Sequence, residues 1–431
     1  MPTIAQLAAL EILDSRGRPT VQATCTLASG AAATVSVPSG ASTGSAEAHE
    51  LRDGDTGRYR GLGCRTAVAN VVGPIQQALV GKAFATQRDL DMALIALDGT
   101  PTKGRLGANA ILAVSLAFAR AVAAERGMPL YQHFADMLAT ESEHQSSVVS
   151  RQSSVALPRL TINLFSGGKH AGGQVPIQDV LVVPVAARTI DEGLAMVYAV
   201  YQAAAELCAE RYGTRALTAD EGGLAPPFAS AEAMLDDAVA AITRAGFRPG
   251  SEVALAVDVA ASQFFHNGRY QLGTDSLDSA AMIDRLAAWV ARYPIISLED
   301  GLAEDDWDNW PALQSQLGAR VLILGDDLLC TNPARIRRAI EASAANALLL
   351  KVNQIGTLTE AAAAYQLARA AGWHVTVSAR SGETEDNWLA DLAVGWAGDD
   401  IKIGSITQSE RLAKYNRLLA IQVELSNRGL T

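Results

Sequence analysis

Cysteine, aromatic residues and basic charge are all scarce in this chain, and each shortage removes a class of function. Its 431 residues include only four cysteines, Cys25, Cys64, Cys208 and Cys330, with neither a CxxC pair nor zinc-ligand spacing. That leaves no disulfide framework and no structural zinc site, and it suits reduced thiols in a cytoplasm. Aromatic residues make up 5% of the chain, and no apolar run reaches the roughly 18 residues a membrane span requires. The first ten residues, MPTIAQLAAL, lack a basic segment ahead of an apolar one, so no secretory signal is visible. Lysine and arginine total 35 against 46 aspartates and glutamates, a formal charge of −11. Such a surface does not neutralise a phosphate backbone, so neither nucleic acid nor a membrane is an expected partner. An anionic small substrate would have to meet local positive charge or a metal ion.

What the chain does have is a hydrophobic fraction of 49% and a length beyond one ordinary domain. A β/α barrel of roughly 250 residues would leave about 140 for a second domain. Between Tyr293 and Ser405, five short apolar runs end abruptly in polar residues: PIISLEDG, VLILGDD, ALLLKVNQIG, HVTVSARSGETED and DIKIGS. Continuous β-branched and leucine runs separated by helical patterns indicate parallel strands buried on both faces. Upstream, LPRLTINLFSGG, DVLVVPV and VALAVDVAAS read as further strands, with helical patterns over 191–212 and 231–245. The N-terminal part reads as three antiparallel strands over 3–12, 19–28 and 31–37, then a loop PSGASTG and helices over 63–80 and 104–126. The polar stretch TESEHQSSVVSRQSS has no periodicity and marks the boundary. The expected organisation is an α+β capping domain over 1–140, a linker over 141–157 and a barrel over 158–431.

In a parallel barrel, residues at the C-terminal ends of different strands converge on one face. Glu299, Asp326, Lys351, Arg380 and Lys402 should therefore share a pocket, with Asp258 ending an earlier strand. Three hard carboxylates with room for water suit octahedral Mg²⁺ better than zinc, although any one of them alone is more often a helix cap or ion-pair partner. Two lysines within about 4 Å would repel by roughly 4 kcal/mol at an effective dielectric near 20, on the order of three pKa units. One of them could then act as a base near neutrality. A base beside a divalent cation is what proton abstraction α to a carboxylate needs. Glu221, in the turn DEGG, is placed to act as an acid, and Arg380 with Ser381 offers a fork and a hydroxyl to a phosphoryl group. His170 lies in the glycine-rich segment SGGKHAGG, where a histidine by itself is most simply a surface residue.

Read together, DSRGRPTV, PSGASTG, ELRDGD, LGANAIL, DEGG, SLEDG, GDDLLCTN, KVNQIGTLTE, RSGETED and SERLAKYN resemble the enolase family along nearly the whole chain. The resemblance implies an α/β fold, with an N-terminal α+β domain followed by a modified (β/α)8 TIM barrel that begins ββαα. It implies a homodimer acting on a small phosphorylated or phosphono carboxylate with one or two Mg²⁺. Asp258, Glu299 and Asp326 would hold the first ion, and Ser42 a second together with the phosphoryl group. Lys351 would be the base, Glu221 the acid, Lys402 a carboxylate contact, and Arg380, Ser381 and His170 phosphoryl contacts; a base of this kind with Mg²⁺ is the general pattern of the superfamily.

Two departures stand out. Enolases read SHRSGETED where this chain reads SARSGETED, placing Ala379 at an active-site histidine, and they read QE where it has Gln178 and Asp179. Both positions serve the departing hydroxyl and the phosphoryl group, whereas the enolate-forming residues are intact. Loss of one acid/base group commonly costs about 10² to 10⁴ in rate. The pattern therefore points to a paralogue such as the carboxyphosphonoenolpyruvate synthases of phosphinate-antibiotic pathways. Ordinary 2-phosphoglycerate dehydration and a non-catalytic enolase-like binding protein are the alternatives. The charges through which enolases commonly pair are also missing, at Leu10, Gln22, Ala420 and Val423.

Overall fold

The computed structural model describes residues 1–41, 44–144, 155–213 and 217–429. Ser42 and the stretch 145–154 at the centre of the expected linker lie outside them. The N-terminal sheet has the order β1 (Ile4–Leu13), β2 (Pro19–Leu27), β3 (Ala32–Ser36), antiparallel throughout. From Val21 to Leu27 alternate residues of β2 are buried, because a pleated strand with one face on a core repeats every second residue. Helix α1 (Arg65–Asn70) and helix α2 (Gln76–Leu79) replace the single helix expected over 63–80. A π-type turn, Val71–Ile75, separates them at Pro74, whose ring and missing N–H interrupt the hydrogen-bond ladder. Helix α3 (Gln87–Asp98) starts on a Thr86/Asp89 capping box.

Helix α4 (Ala108–Glu125) lies against β2 and β3 and forms the centre of this domain. Its length and a mean hydropathy of 1.4 would allow it to cross a membrane, but 83% of it is buried inside the molecule. Each fully buried Leu, Ile or Phe on it contributes roughly 1.5–3 kcal/mol. Helix α5 (Leu130–His144) runs four residues into the segment expected to be unstructured, 141–144.

The barrel chain runs β4 (Arg159–Ser166), β5 (Asp179–Val183), α6 (Ile190–Tyr212), α7 (Ala231–Arg244) and β6 (Ala254–Asp258). A small antiparallel sheet of β7 (Phe265–His266), β8 (Arg269–Leu272) and β9 (Asp275–Leu277) follows, which strand periodicity did not predict. Then come α8 (Ser279–Arg292), β10 (Ile295–Glu299), α9 (Trp310–Leu317), β11 (Leu322–Gly325), α10 (Pro333–Ala342) and β12 (Ala347–Leu350). The chain ends with α11 (Leu358–Ala370), β13 (His374–Ser378), α12 (Trp388–Gly395), β14 (Asp400–Lys402) and α13 (Ser409–Asn427).

Strands β4, β5, β6 and β10 to β14 close into a barrel. All neighbours are parallel except β5, which is antiparallel to both β4 and β6. This reversal puts the first residue of β5, not the last, at the end of the barrel where the parallel strands finish. Asp179 consequently pairs in register with Asp258, which pairs with Glu299 on its other side.

Candidate active site

The ends of β6, β10, β11, β12, β13 and β14 bring Asp258, Glu299, Asp326, Lys351, Arg380 and Lys402 to one side of the barrel. Each side chain sits at or within two residues of its strand's last position. Lys402 Nζ donates to Asp258 Oδ2 at 2.8 Å and to Glu299 Oε2 at 2.7 Å, and Lys351 Nζ donates to Asp326 Oδ2. The mutual lysine repulsion expected from the sequence therefore does not govern the site. Burial by itself would lower both ammonium groups, but Asp326 holds Lys351 above its ordinary pKa, and Asp258 and Glu299 hold Lys402 well above. The physical reason is distance, since each ammonium lies within hydrogen-bond reach of an opposite charge.

The carboxylates carry further partners. Gln178 Nε2 donates to Asp258 Oδ2 at 3.0 Å, and Gln354 Nε2 to Asp326 Oδ1 at 2.8 Å. Glu299 Oε1 is buried with no hydrogen-bond partner among the described residues. Burial first, then the charge of Asp258, push the Glu299 carboxyl well above its usual pKa. An orphaned buried oxygen within a set of hard oxygen donors is a place that a hard divalent cation fits. Asp326 also belongs to a tighter group with Asp300 and Asp327, whose ligand atoms lie within 4.8 Å of one another, while Asp258 and Glu299 stand outside it. Within that group Asp300 is engaged as a cap, accepting the backbone N–H of Asp326 at 3.0 Å and of Asp327 at 2.7 Å. Asp300 does this from φ 44°, a strained position for a residue with a side chain.

A second group with ligand atoms inside 4.8 Å is formed by His170, Asp179 and Glu221, all buried. His170 is not the surface residue that a loop histidine suggests. Its Nδ1 meets Asp179 Oδ2 at 2.9 Å, and its Nε2 lies 3.7 Å from Glu221 Oε1. Burial opposes a charge on this ring, but Asp179 and Glu221 outweigh it and lift its pKa to about 9. Glu221 Oε2 accepts from Asn163 Nδ2 at 3.0 Å. The β4–β5 register slips between Asn163 and Phe165, a bulge of the kind that re-aims side chains beside active sites.

Arg380 does face the site, but its fork is already engaged. Nη1 and Nη2 donate to the two carboxylate oxygens of Glu47 at 3.0 and 3.1 Å, and Nη1 also reaches Asn353 Oδ1 at 3.0 Å. Ser381 Oγ accepts from Arg16 Nη1 at 3.1 Å. The cavity enclosed by His170, Glu221, Lys351, Ala379, Arg380 and Lys402 measures about 20 Å³, roughly the space of one water. Replacing the family's histidine with Ala379 would be expected to open room beside Arg380 for a group bulkier than phosphate, but none stands open. Glu47, Asn163, Gln354 and Asp300 were not singled out from sequence. Asp300 alone had a signal, as the second acid of SLEDG.

Known families match this chain at both ends. Residues 4–134 match the family described as Enolase, N-terminal domain, and residues 154–430 match Enolase, C-terminal TIM barrel domain. The chain belongs to the enolase family. Its closed eight-strand barrel agrees with the TIM barrel that the C-terminal description names, and the three-stranded sheet lies within the residues matched as the N-terminal domain. The acidic groups at the strand ends of this enolase-family protein are compatible with a bound metal ion.

Proposed function

We propose that this protein is a cytoplasmic Mg²⁺-dependent enzyme that takes the α-proton from a small phosphorylated or phosphono carboxylate and forms an enolpyruvate product. The observation that carries the reading is the placing of the buried Lys402 and the partly buried Lys351 among Asp258, Glu299 and Asp326 on neighbouring strand ends. Asp258, Glu299 and Asp326 would hold Mg²⁺, and Ser42 a second ion, and a cation there would supply positive charge beside the substrate carboxylate. Lys351 Nζ receives the α-proton, and it does so as a neutral amine, after Asp326 has turned away from it. Lys402 holds the substrate carboxylate, Glu221 meets the leaving group, and His170, Arg380 and Ser381 grip the phosphorus group.

Within the family we place the protein with paralogues that make a carboxyphosphonate-bearing enolpyruvate. Ala379 offers no imidazole to the departing group, and Asp179 is drawn back onto Ser166 and His170. Dehydration of 2-phosphoglycerate is the second reading, favoured by the gathering of His170, Glu221, Lys351, Arg380 and Lys402 around one cavity, the set that a phosphorylated carboxylate calls for. Mass spectrometry of products formed with Mg²⁺ and 2-phosphoglycerate, with and without phosphonoformate, separates the two. A carboxyphosphonate-bearing product supports the first, and phosphoenolpyruvate alone supports the second. No product and no α-proton exchange with either would overturn the catalytic reading.

A further inference from the structure

We infer that Asp179 is a positioning residue for His170, acting on substrate through the imidazole rather than at the departing hydroxyl, and that Ser166 completes the arrangement. The inference rests on the functional reading above and gives two side chains a task within it. Both oxygens of Asp179 are engaged: Oδ1 accepts from Ser166 Oγ at 2.6 Å, and Oδ2 meets His170 Nδ1 at 2.9 Å. Ser166 ends β4, Asp179 begins β5, and the two pair directly in the antiparallel register. The backbone therefore fixes the carboxylate before any ligand arrives.

A carboxylate on Nδ1 makes that nitrogen the donor and turns Nε2 the other way. Nε2 then faces Glu221, and His170 and Glu221 both line the cavity while Asp179 and Ser166 stand behind them. Asp179 is 0% exposed and both its oxygens are taken, so it touches a substrate only by way of the ring. One methylene fewer than the family's glutamate suits this retreat, because the shorter acid closes on the ring and on Ser166 together.

The test uses histidine-selective ¹⁵N labelling of the full chain, with His170→Gln identifying the ring signal among the six histidines. We expect an Nδ1-bound, hydrogen-bonded ring proton that disappears in Asp179→Ala and shifts in Ser166→Ala. With 2-phosphoglycerate as probe, Asp179→Ala should raise KM by about 10- to 100-fold, the worth of a hydrogen bond to a charged group, with kcat falling less. Ser166→Ala should move in the same direction, and it keeps the question answerable if Asp179→Ala does not fold. A ring signal unmoved by both changes would overturn the inference. So would a fall in kcat at constant KM, the mark of a carboxylate acting in the transition state itself. The ring signal is read without turnover, so it decides the positioning even if product analysis overturns the reaction.

Discussion

Lys402 illustrates what strand-end reasoning reveals and what it leaves hidden. The residue type and its place at the end of an apolar run were enough to bring it to the site with Lys351, Asp258, Glu299 and Asp326. Which ammonium meets which carboxylate was not legible, because pairing depends on side-chain reach and strand register rather than on sequence position. Asn163, Ser166 and Glu47 were illegible for a related reason: each is an ordinary polar residue until the fold sets it against a buried charge. Two outcomes follow at this scale. Lys351→Ala should abolish exchange of the substrate α-proton with solvent deuterium, measured by NMR, since no other group is assigned to remove it. Asp326→Asn should weaken Mg²⁺ binding severely in calorimetry with an enolpyruvate-type ligand present, because it removes one negative charge from the donor set. Exchange that survives the first change would remove Lys351 from the role of base. Unchanged Mg²⁺ affinity in the second would remove Asp326 from the metal site.

Among the elements, the parallel strands were the most legible, since strands buried on both faces are mainly apolar, as β11 (LILG), β12 (ALLL) and β6 up to Asp258 are. The reversed direction of β5 is not written in any periodicity; it was implied only by the resemblance. The break at Pro74 was missed in the single helix expected over 63–80, although the proline alone signals it. The packing of α3 against the start of α11 was not legible, yet it carries a testable charge. Asp91 on α3 accepts from Gln87 Nε2 at 3.0 Å and from the backbone N–H of Thr359 at 2.9 Å. Burial, opposed by these hydrogen bonds, lifts its pKa to about 6. The native state therefore binds this proton more tightly than the unfolded chain does, so stability is fullest below about pH 4 and falls as pH rises to about 6. Urea unfolding of wild type and Asp91→Asn should show their difference changing by about 3 kcal/mol between pH 4 and pH 7, to the disadvantage of wild type. A difference independent of pH would show that Asp91 titrates as it does in the unfolded chain.

At the scale of the whole molecule, the missing interfacial charges leave apolar surface behind: Leu10 and Val423 are each 58% exposed, and Leu13 is 52% exposed. We expect a dimer held by burial of these side chains in place of ion pairs. Light scattering that shows a monomer at micromolar concentration would refute this. The two domains also meet through the Glu47 fork on Arg380, which has a consequence for every ligand of the site. An anion arriving at Arg380 competes with a carboxylate tethered to the same chain, whose effective concentration does not fall on dilution. Affinity for any simple anion is thus a difference between two bonds, and the protein should be a poor scavenger of free phosphate. Glu47→Gln should bind inorganic phosphate more tightly than wild type in calorimetry, and only a ligand with several points of attachment should overcome the tether unaided.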